Sequence, residues 1–421
     1  MCRRNVVAAV AAALVAIGSG ALRAESPRDP TLTLDEALER ALRSSPRLAG
    51  AQEAVAAAAA RREQAGVWPN PELTVASEGF AGSAELTGFD GAESSVEITQ
   101  PLPLGQCTRQ RAVAGAELLG VEADALAELA AVRAGVTADF YRVLAAQRRV
   151  ALSEELAALA AQVAASVAVR VDAGKVPPAE AARARVPVVE ARISLVRAEQ
   201  QLTAARQALS ARWGGLEAPA VVGDLDALAP PPQMSDLLPM LPETAVLAAP
   251  LAEVKRREAV LVLERRLGWP DVAVTAGRRR EEPTGAEGWN AGVAVELPLF
   301  DRNRDGVRAA EHELRRSQHE VERVRADAVA DLAAARAALA AAWEQARLEA
   351  DDAVPAAEQA FRAVEIAYRE GKLDLLEVLQ AQRALFETRL GLLDALEAYH
   401  TAGAELQRLV FPAETTDGEI W

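Results

Sequence analysis

Aromatic residues make up only 4 % of this 421-residue chain, which also holds just two cysteines, three methionines and three histidines. A chain so poor in large rings does not build a thick globular core, because Phe, Tyr and Trp bring the most apolar area per residue. Two cysteines exclude a disulfide scaffold. His312 and His319 stand seven apart on one predicted helix and His400 is distant, whereas two ligands for one ion on a helix want a spacing of four. Both therefore read as exposed surface. Glycine patterns that cradle nucleotides and a nucleophile with its base are also missing, so no cofactor, metal centre or catalytic set is expected. Positive charge is in deficit, with a formal net charge of −15. That excludes nucleic acid as a partner, since phosphate binding needs clustered Lys and Arg.

What the chain does have is alanine, which supplies much of its 51 % apolar share. Alanine is the best helix former and a poor core filler, so long helices packed closely side by side are expected. Residues 1–24 have the form of a secretory signal, with Arg3 and Arg4, an apolar run from Val6 to Ile17, and small residues suited to cleavage after Ala21 or Ala24. Cys2 would leave with it and Cys107 would remain alone. No later segment is expected to span a membrane as a helix: the stretch from Ala326 to Trp343 carries Asp327, Asp331 and Arg336, each costly at a bilayer centre. An exported chain of this kind is periplasmic, secreted, or set in an outer membrane through β-strands.

The chain is written twice. Gly174-Lys175 and Gly371-Lys372 lie at the same offset as Glu180 and Glu377, Glu190 and Glu387, and Arg192 and Arg389. Upstream, Trp68-Pro69-Asn70 echoes Trp269-Pro270-Asp271, and Leu102-Pro103-Leu104 echoes Leu297-Pro298-Leu299. The copies divide the chain into a first repeat at 25–213, a Pro- and Gly-rich linker with little regular structure at 214–242, a second repeat at 243–410 and a tail at 411–421. Each repeat opens with a helix, Thr33 to about Gly66 with a Thr33/Glu36 capping box, or Glu243 to Leu267. A hairpin follows at 72–102 or 271–297, where apolar residues alternate along strands of about eight to ten residues. Its joining loops, Ala81 to Glu93 and Arg279 to Gly288, are polar. Next comes a very long helix, 107–170 or 305–369, then a Gly-Lys turn and a return helix, 179–213 or 374–409.

In the last helix Leu379, Phe386 and Leu393 repeat every seven residues, and so do Leu385, Leu392, Tyr399 and Leu406. A seven-residue period is that of knobs-into-holes packing. Two such seams suit a stave in a closed wall of helices, which has a neighbour on each side. Strands of the predicted length are about what a tilted crossing of a bilayer requires. Four of them have open edges that hydrocarbon does not tolerate, so they must close with strands of other copies. Three chains give an even-numbered barrel and a matching set of helical staves. Trp68 and Trp269, at the helix-to-strand junctions, fall where an interfacial aromatic belt would lie.

Together these motifs resemble the outer-membrane efflux channels, the TolC-like outer membrane factors, over nearly the whole span from Leu32 to Val410. The residues that carry the resemblance are Leu34-Asp35-Glu36-Ala37, Trp68-Pro69-Asn70-Pro71, Gly174-Lys175, the run from Glu296 through Leu297-Pro298-Leu299-Phe300-Asp301-Arg302 to Asn303, and the run from Tyr368 through Gly371-Lys372 to Gln382. The Leu-Pro-Leu-Phe-Asp-Arg-Asn run is similar to the branch serving heavy-metal cation exporters of the resistance-nodulation-division (RND) type.

The resemblance implies a mainly α fold with a membrane β-barrel: a homotrimer whose twelve-stranded barrel, in outer-membrane lipid, continues into a twelve-helix periplasmic tunnel. It implies docking of a periplasmic adaptor (membrane fusion) protein, fed by an inner-membrane RND-type pump, through tip turns that include Gly174, Lys175, Gly371, Lys372 and Tyr368. It also implies an acidic periplasmic gate, with Glu377 on one family position, Asp374 one turn before it and Glu180 as the counterpart in the first repeat. Gln380 stands where a further acidic residue is expected, which puts a doubled acidic ring in doubt. Export of drugs or of whole proteins stays open at this level. A structural periplasmic coiled coil is the competing class, and it leaves the alternating hairpins unexplained.

Overall fold

The computed structural model of the chain describes residues 31–80 and 92–413. The proposed signal and Cys2, nearly all of the first hairpin loop, and the end of the tail lie outside the described residues. Helices α1 (Leu34–Ser44) and α2 (Pro46–Ala65) come first. The capping box is present, with the Glu36 N–H donating to Thr33 Oγ1 at 3.3 Å and the Thr33 N–H donating to Glu36 Oε2 at 2.9 Å. The single opening helix expected here is broken in two at Ser45. Pro46 has no N–H to give and crowds the residue before it, and Ser45 accordingly sits in extended backbone at φ −68°, ψ 121°.

Strands β1 (Glu72–Glu78) and β2 (Glu93–Leu102) form the first hairpin, and β3 (Asp271–Glu281) and β4 (Glu287–Glu296) the second. The hairpins join edge to edge through ten antiparallel β2–β3 pairs, from Glu93 opposite Glu281 to Leu102 opposite Val272. The result is one four-stranded sheet in the order β1-β2-β3-β4, with β1 and β4 unpaired on their outer edges.

Helix α3 (Gln106–Asp172) runs 67 residues, roughly 100 Å at about 1.5 Å per residue. Helix α4 (Pro178–Ala211) returns along its lower half. In the second repeat α5 (Ala245–Leu267) leads into the sheet, α6 (Arg304–Leu348) leaves it, α7 (Val354–Arg369) continues to the tip and α8 (Leu375–Leu409) returns. The second long helix is therefore not continuous. Residues Glu349–Ala353 take one turn of π-helix just before Pro355, whose missing N–H cannot close the ordinary bond to the preceding turn.

Two levels follow from the packing. Near the sheet, α2, α3, α5 and α6 lie side by side; toward the tip the neighbours are α4, α3, α8 and α7. Four helices thus stand at each level, and only the two long paths run through both. Helix α4 packs on α3 through Ala184, Ala191, Ala198 and Ala205, a buried alanine every seventh residue that lets the two backbones approach closely. The two seams predicted for α8 meet different neighbours only toward its sheet-side end, since Leu379 with Leu385, and Leu392 with Leu393, pack in shared clusters nearer the tip. Leu393 belongs to the cluster built on α3, while Leu406 and Tyr399 pack against Leu332 and Leu339 of α6. By length and composition alone a stretch of α3 would pass as a membrane span, contrary to expectation. Its alanines and valines serve helix packing instead, against α4, α5 and α8.

Midway, residues 214–243 wrap the bundle. They hold only a helical turn at Met234–Leu237 and a 3-10 turn at Leu238–Glu243, yet they are no loose tether. Val221 pairs with Leu32 in a parallel bridge, and Val221, Leu225 and Ala218 are buried against Phe140 and its neighbours. His400 Nε2 lies 2.9 Å from the Leu225 carbonyl, and its ring stacks on Tyr141 at 3.6 Å between centroids. Burial pushes the His400 imidazole below its ordinary pKa, which keeps it neutral in this packed position. Asp139, buried on α3, accepts from Arg212 Nε at 2.7 Å and from Arg142, tying the end of α4 to the same level. Phe140 is 1 % exposed at the centre of this belt. Phe140→Ala is expected to cost about 3–5 kcal/mol, the range for truncating a buried ring, read as a lower urea midpoint of helix loss.

Candidate functional site: the sheet faces and the helix tips

The pleat sorts the sheet into two unlike faces. One carries Leu73 and Val75, Val96 and Ile98, Val272 and Val274, and Val293 and Val295, which the pairing register sets side by side. These side chains face outward, Val75 being 72 % and Val293 68 % exposed. An apolar face this large and this open is not a solvent surface. Apart from Gln100, its polar members collect at the far end, where Arg278 pairs with Glu287 and Arg280 lies nearby. Trp289, 87 % exposed, stands opposite Arg278 at that level. Trp68 and Trp269, both exposed, mark the near end where the strands begin. From Trp269 to Arg278 is nine steps along the chain, the last seven of them within β3, at most about 30 Å at ~3.4 Å per residue and roughly 23 Å in height at a tilt near 40°. That is close to the apolar band of a barrel in an outer membrane.

The opposite face is polar. Glu72, Thr99, Thr275 and Gly292 form one row across the sheet, and Thr74, Glu97, Gly277 and Asn290 form the next. Thr99 and Thr275 share a hydroxyl hydrogen bond at 3.0 Å. Asn290 Nδ2 donates to the Glu97 carboxylate across the intervening strand. Glu78, Glu93 and Glu281 form the outermost row, and Arg279 reaches Glu93 at 3.0 Å and Glu281 at 3.1 Å.

At the other end of the molecule the two Gly-Lys turns have one geometry. Gly174 and Gly371 stand at φ +67° and +75°, in the left-handed region that only glycine enters cheaply. In each, the lysine N–H donates back five residues, Lys175 to the Arg170 carbonyl and Lys372 to the Ala367 carbonyl, both at 2.9 Å. The tips are tied together: the Arg170 guanidinium lies over the Tyr368 ring at 4.6 Å and donates to the Tyr368 carbonyl at 3.5 Å. Tyr368 is buried, so it clamps the two hairpins, and Gly174, Lys175, Gly371 and Lys372 form the open surface of the turns.

Among the acidic tip residues, Asp374 caps α8 by accepting the Glu377 N–H at 3.3 Å. Glu377 is exposed in the first turn of α8, and Glu180 is half-buried at the equivalent place in α4. The helix N-terminus favours a carboxylate at each position. Farther up α8, Arg389 bridges Glu155 of α3 at 2.9 Å and Glu358 of α7 at 2.7 Å. Among the described residues no cluster of His, Cys, Asp and Glu is set to hold a metal ion.

The open-edged sheet with one lipid-like face, continued by paired long helices, is the half-built wall of a membrane tube. The family model described as "Outer membrane efflux protein" matches residues 37–215 and 241–410, most of both repeats. The chain belongs to the outer membrane efflux protein family. It is an outer-membrane efflux channel subunit, and its long helices make up the large periplasmic part.

The chain is similar to the cobalt-zinc-cadmium resistance protein CzcC of Cupriavidus metallidurans, at 33 % identity over 389 residues that cover 90 % of each chain. It is also similar to the nickel and cobalt resistance protein CnrC of the same organism, 33 % identical over 68 % of this chain and 67 % of that one. Among solved structures it shares the fold of CusC, with a TM-score of 0.78 at 19 % identity over 90 % and 92 % of the two chains. The same holds for the Campylobacter jejuni CmeC outer membrane channel, with a TM-score of 0.76 at 14 % identity over 91 % and 87 %.

Two features of the channel went unread in the sequence. Val186, Val189, Ile193 and Val196 stand at the 3-4 spacing of a helical seam on the side of α4 turned away from α3, its main neighbour among the described residues, and all four are exposed. The spacing itself was the available signal. Phe300, fully exposed beside Leu297 and Leu299 at the near end of the sheet, adds an aromatic to the level of Trp68 and Trp269. Gly371→Ala, which forces a Cβ into a left-handed position, is expected to cost about 1–2 kcal/mol locally. Hydrogen exchange checks this: amides of the α7–α8 tip should exchange faster while those of α3 around Phe140 keep their protection.

Proposed function

We propose that three copies of the chain close a twelve-stranded barrel and a twelve-helix tunnel, and that this tube is the passive exit duct for heavy-metal cations. An inner-membrane RND-type pump and a periplasmic adaptor hand the cations over. The observation that carries the reading is the sheet with one exposed apolar face and two unpaired edges, which lipid tolerates only when β4 of one copy pairs with β1 of the next. The seam Val186/Val189/Ile193/Val196 supports it, since a stave at the margin of one subunit needs a neighbour from another. In this reading the signal precedes two repeats joined by the wrapping linker, and Trp68 and Trp269 lie at the periplasmic lipid interface. Cobalt, zinc, cadmium and nickel stand in the names of the similar proteins, and the acidic balance of the polar sheet face suits such cargo.

In this reading Glu377 forms the periplasmic gate. Three carboxylates about one axis attract cations and repel anions, and Asp374 serves first as the cap that fixes the start of α8. Glu180 holds the matching position on the helical hairpin of the first repeat. Gly174, Lys175, Gly371 and Lys372 form the face that meets the adaptor, with Tyr368 holding the turns in register beneath.

Reconstitution tests the whole. The mature protein should run as a trimer and conduct in planar bilayers, and a cell lacking the gene should lose tolerance to cobalt, zinc or cadmium; a water-soluble monomer without sheet content would overturn the proposal. Ile193→Glu places an unpaired carboxylate in the subunit seam at a cost of several kcal/mol, so the trimer fraction should fall at least tenfold. Glu377→Ala should raise conductance and admit large antibiotics. Unchanged conductance and sensitivity would put the gate elsewhere.

A further inference from the structure

We infer that Glu97 sets the cation preference of the barrel, held in place by Asn290 across a gap that Gly277 leaves open. The inference rests on the trimeric reading above and adds to it a second charged station, at the far end of the channel from the helix tips.

Three observations converge on the residue. Glu97 lies on the polar face, because Val96 and Ile98 on either side belong to the exposed apolar face. If lipid takes the apolar face, Glu97 points into the lumen. In the register, Glu97 of β2, Gly277 of β3 and Asn290 of β4 stand in one row, so the two polar side chains are separated by a whole strand. They nevertheless meet, with Asn290 Nδ2 donating to Glu97 Oε1. The contact exists only because the middle position has no side chain. A Cβ on Gly277 would lie 2.6 Å from Asn290 Oδ1 and 2.7 Å from Glu97 Cγ, closer than real Cβ atoms come.

The chemistry of the partner matters. Arg279 neutralises part of the outermost glutamate row, with contacts to Glu93 and Glu281. Glu97 is bonded to a neutral amide, which fixes its position and leaves its charge intact. The row lies one residue inside the level of Trp289, near the outer mouth. A barrel of twelve strands spaced ~4.8 Å and tilted near 40° has a backbone radius of roughly 12 Å. A glutamate carboxylate then stands about 8 Å from the axis, comparable with the Debye length of about 8 Å at physiological salt. Three such charges bias ions at the centre of the pore without binding them, as conduction requires. The expected preference is therefore several-fold and not absolute.

The test is the reversal potential of the purified trimer in a planar bilayer under a tenfold KCl gradient. It is measured in the native channel and in the Glu377→Ala channel, so that charge at the proposed gate is separated from charge in the barrel. Native protein should prefer K+ over Cl−. Glu97→Gln, which keeps an oxygen to accept from Asn290, should lower the permeability ratio about two- to threefold, and Glu97→Lys should bring it to one or below. Glu97→Cys should react with a water-soluble thiol reagent in the open channel, and a sulfonate-bearing reagent should restore the cation preference. A native channel that prefers cations while both charge variants keep the same ratio would overturn the role of Glu97, as would a Glu97→Cys channel whose introduced thiol no reagent reaches. Failure of the native protein to form a conducting trimer would instead overturn the reading on which the inference rests.

Discussion

An open sheet edge in hydrocarbon is the constraint on which the rest of this structure depends. Each unpaired N–H and C=O facing lipid costs several kcal/mol, and β1 and β4 each present a full row of them. With one face apolar and the other polar, the sheet cannot hide those edges by folding on itself without burying glutamates. In the proposed trimer, closure with other copies removes the edges and leaves the polar face as the wall of an aqueous lumen. The helices inherit that symmetry. Because β2 leads directly into α3 and β4 into α6, the spacing of the strands sets the spacing of the long staves below. Alanine-rich contacts such as Ala184, Ala191, Ala198 and Ala205 let the staves stand close enough to match it.

The midline belt solves a second problem. Neither α2 with α4 nor α5 with α8 is long enough to run the whole tube, so each pair leaves a joint at the same height. Residues 214–243 cover that height with Val221 and Leu225 inserted toward Phe140, and Asp139 holds Arg212 at the end of α4. Buried polar contacts here, including His400 against the Leu225 carbonyl, fix the position of the belt more than they add to stability. The tips have no such belt. They are joined by a smaller buried cluster, in which Val167 and Ala184 of the first repeat meet Phe361, Tyr368, Leu375 and Val378 of the second, and by Arg170 over Tyr368 and Arg389 between two carboxylates, partly exposed links that are worth little individually.

Much of this was legible in the sequence because its signals are periodic. Matched Gly-Lys turns disclosed the duplication, alternation disclosed the strands, and the seven-residue spacing in α8 disclosed a stave with two neighbours. What the sequence withheld depended on position in space. Pro46 and Pro355 were visible, but whether each would bend, break or merely decorate a helix depended on packing. The first broke a helix at Ser45, and the second drew out a π-turn. Tyr368 belonged to a recognisable tip motif, yet its burial beneath Arg170 comes from the opposite repeat. The meeting of Glu97 with Asn290 was out of reach for the same reason, since 193 residues separate them and only the β2–β3 register brings them into one row. The exposed seam on α4 is the exception, since its spacing alone marks it as a face that wants a neighbour.

The π-turn at Glu349–Ala353 makes the two repeats mechanically unlike. Helix α3 is an unbroken rod of 67 residues, whereas its counterpart takes up one extra residue in a single turn and so rotates the phase of everything below it. The faces that α6 and α7 present are therefore offset from one another. A tube built from three such chains alternates rigid and articulated members around its circumference.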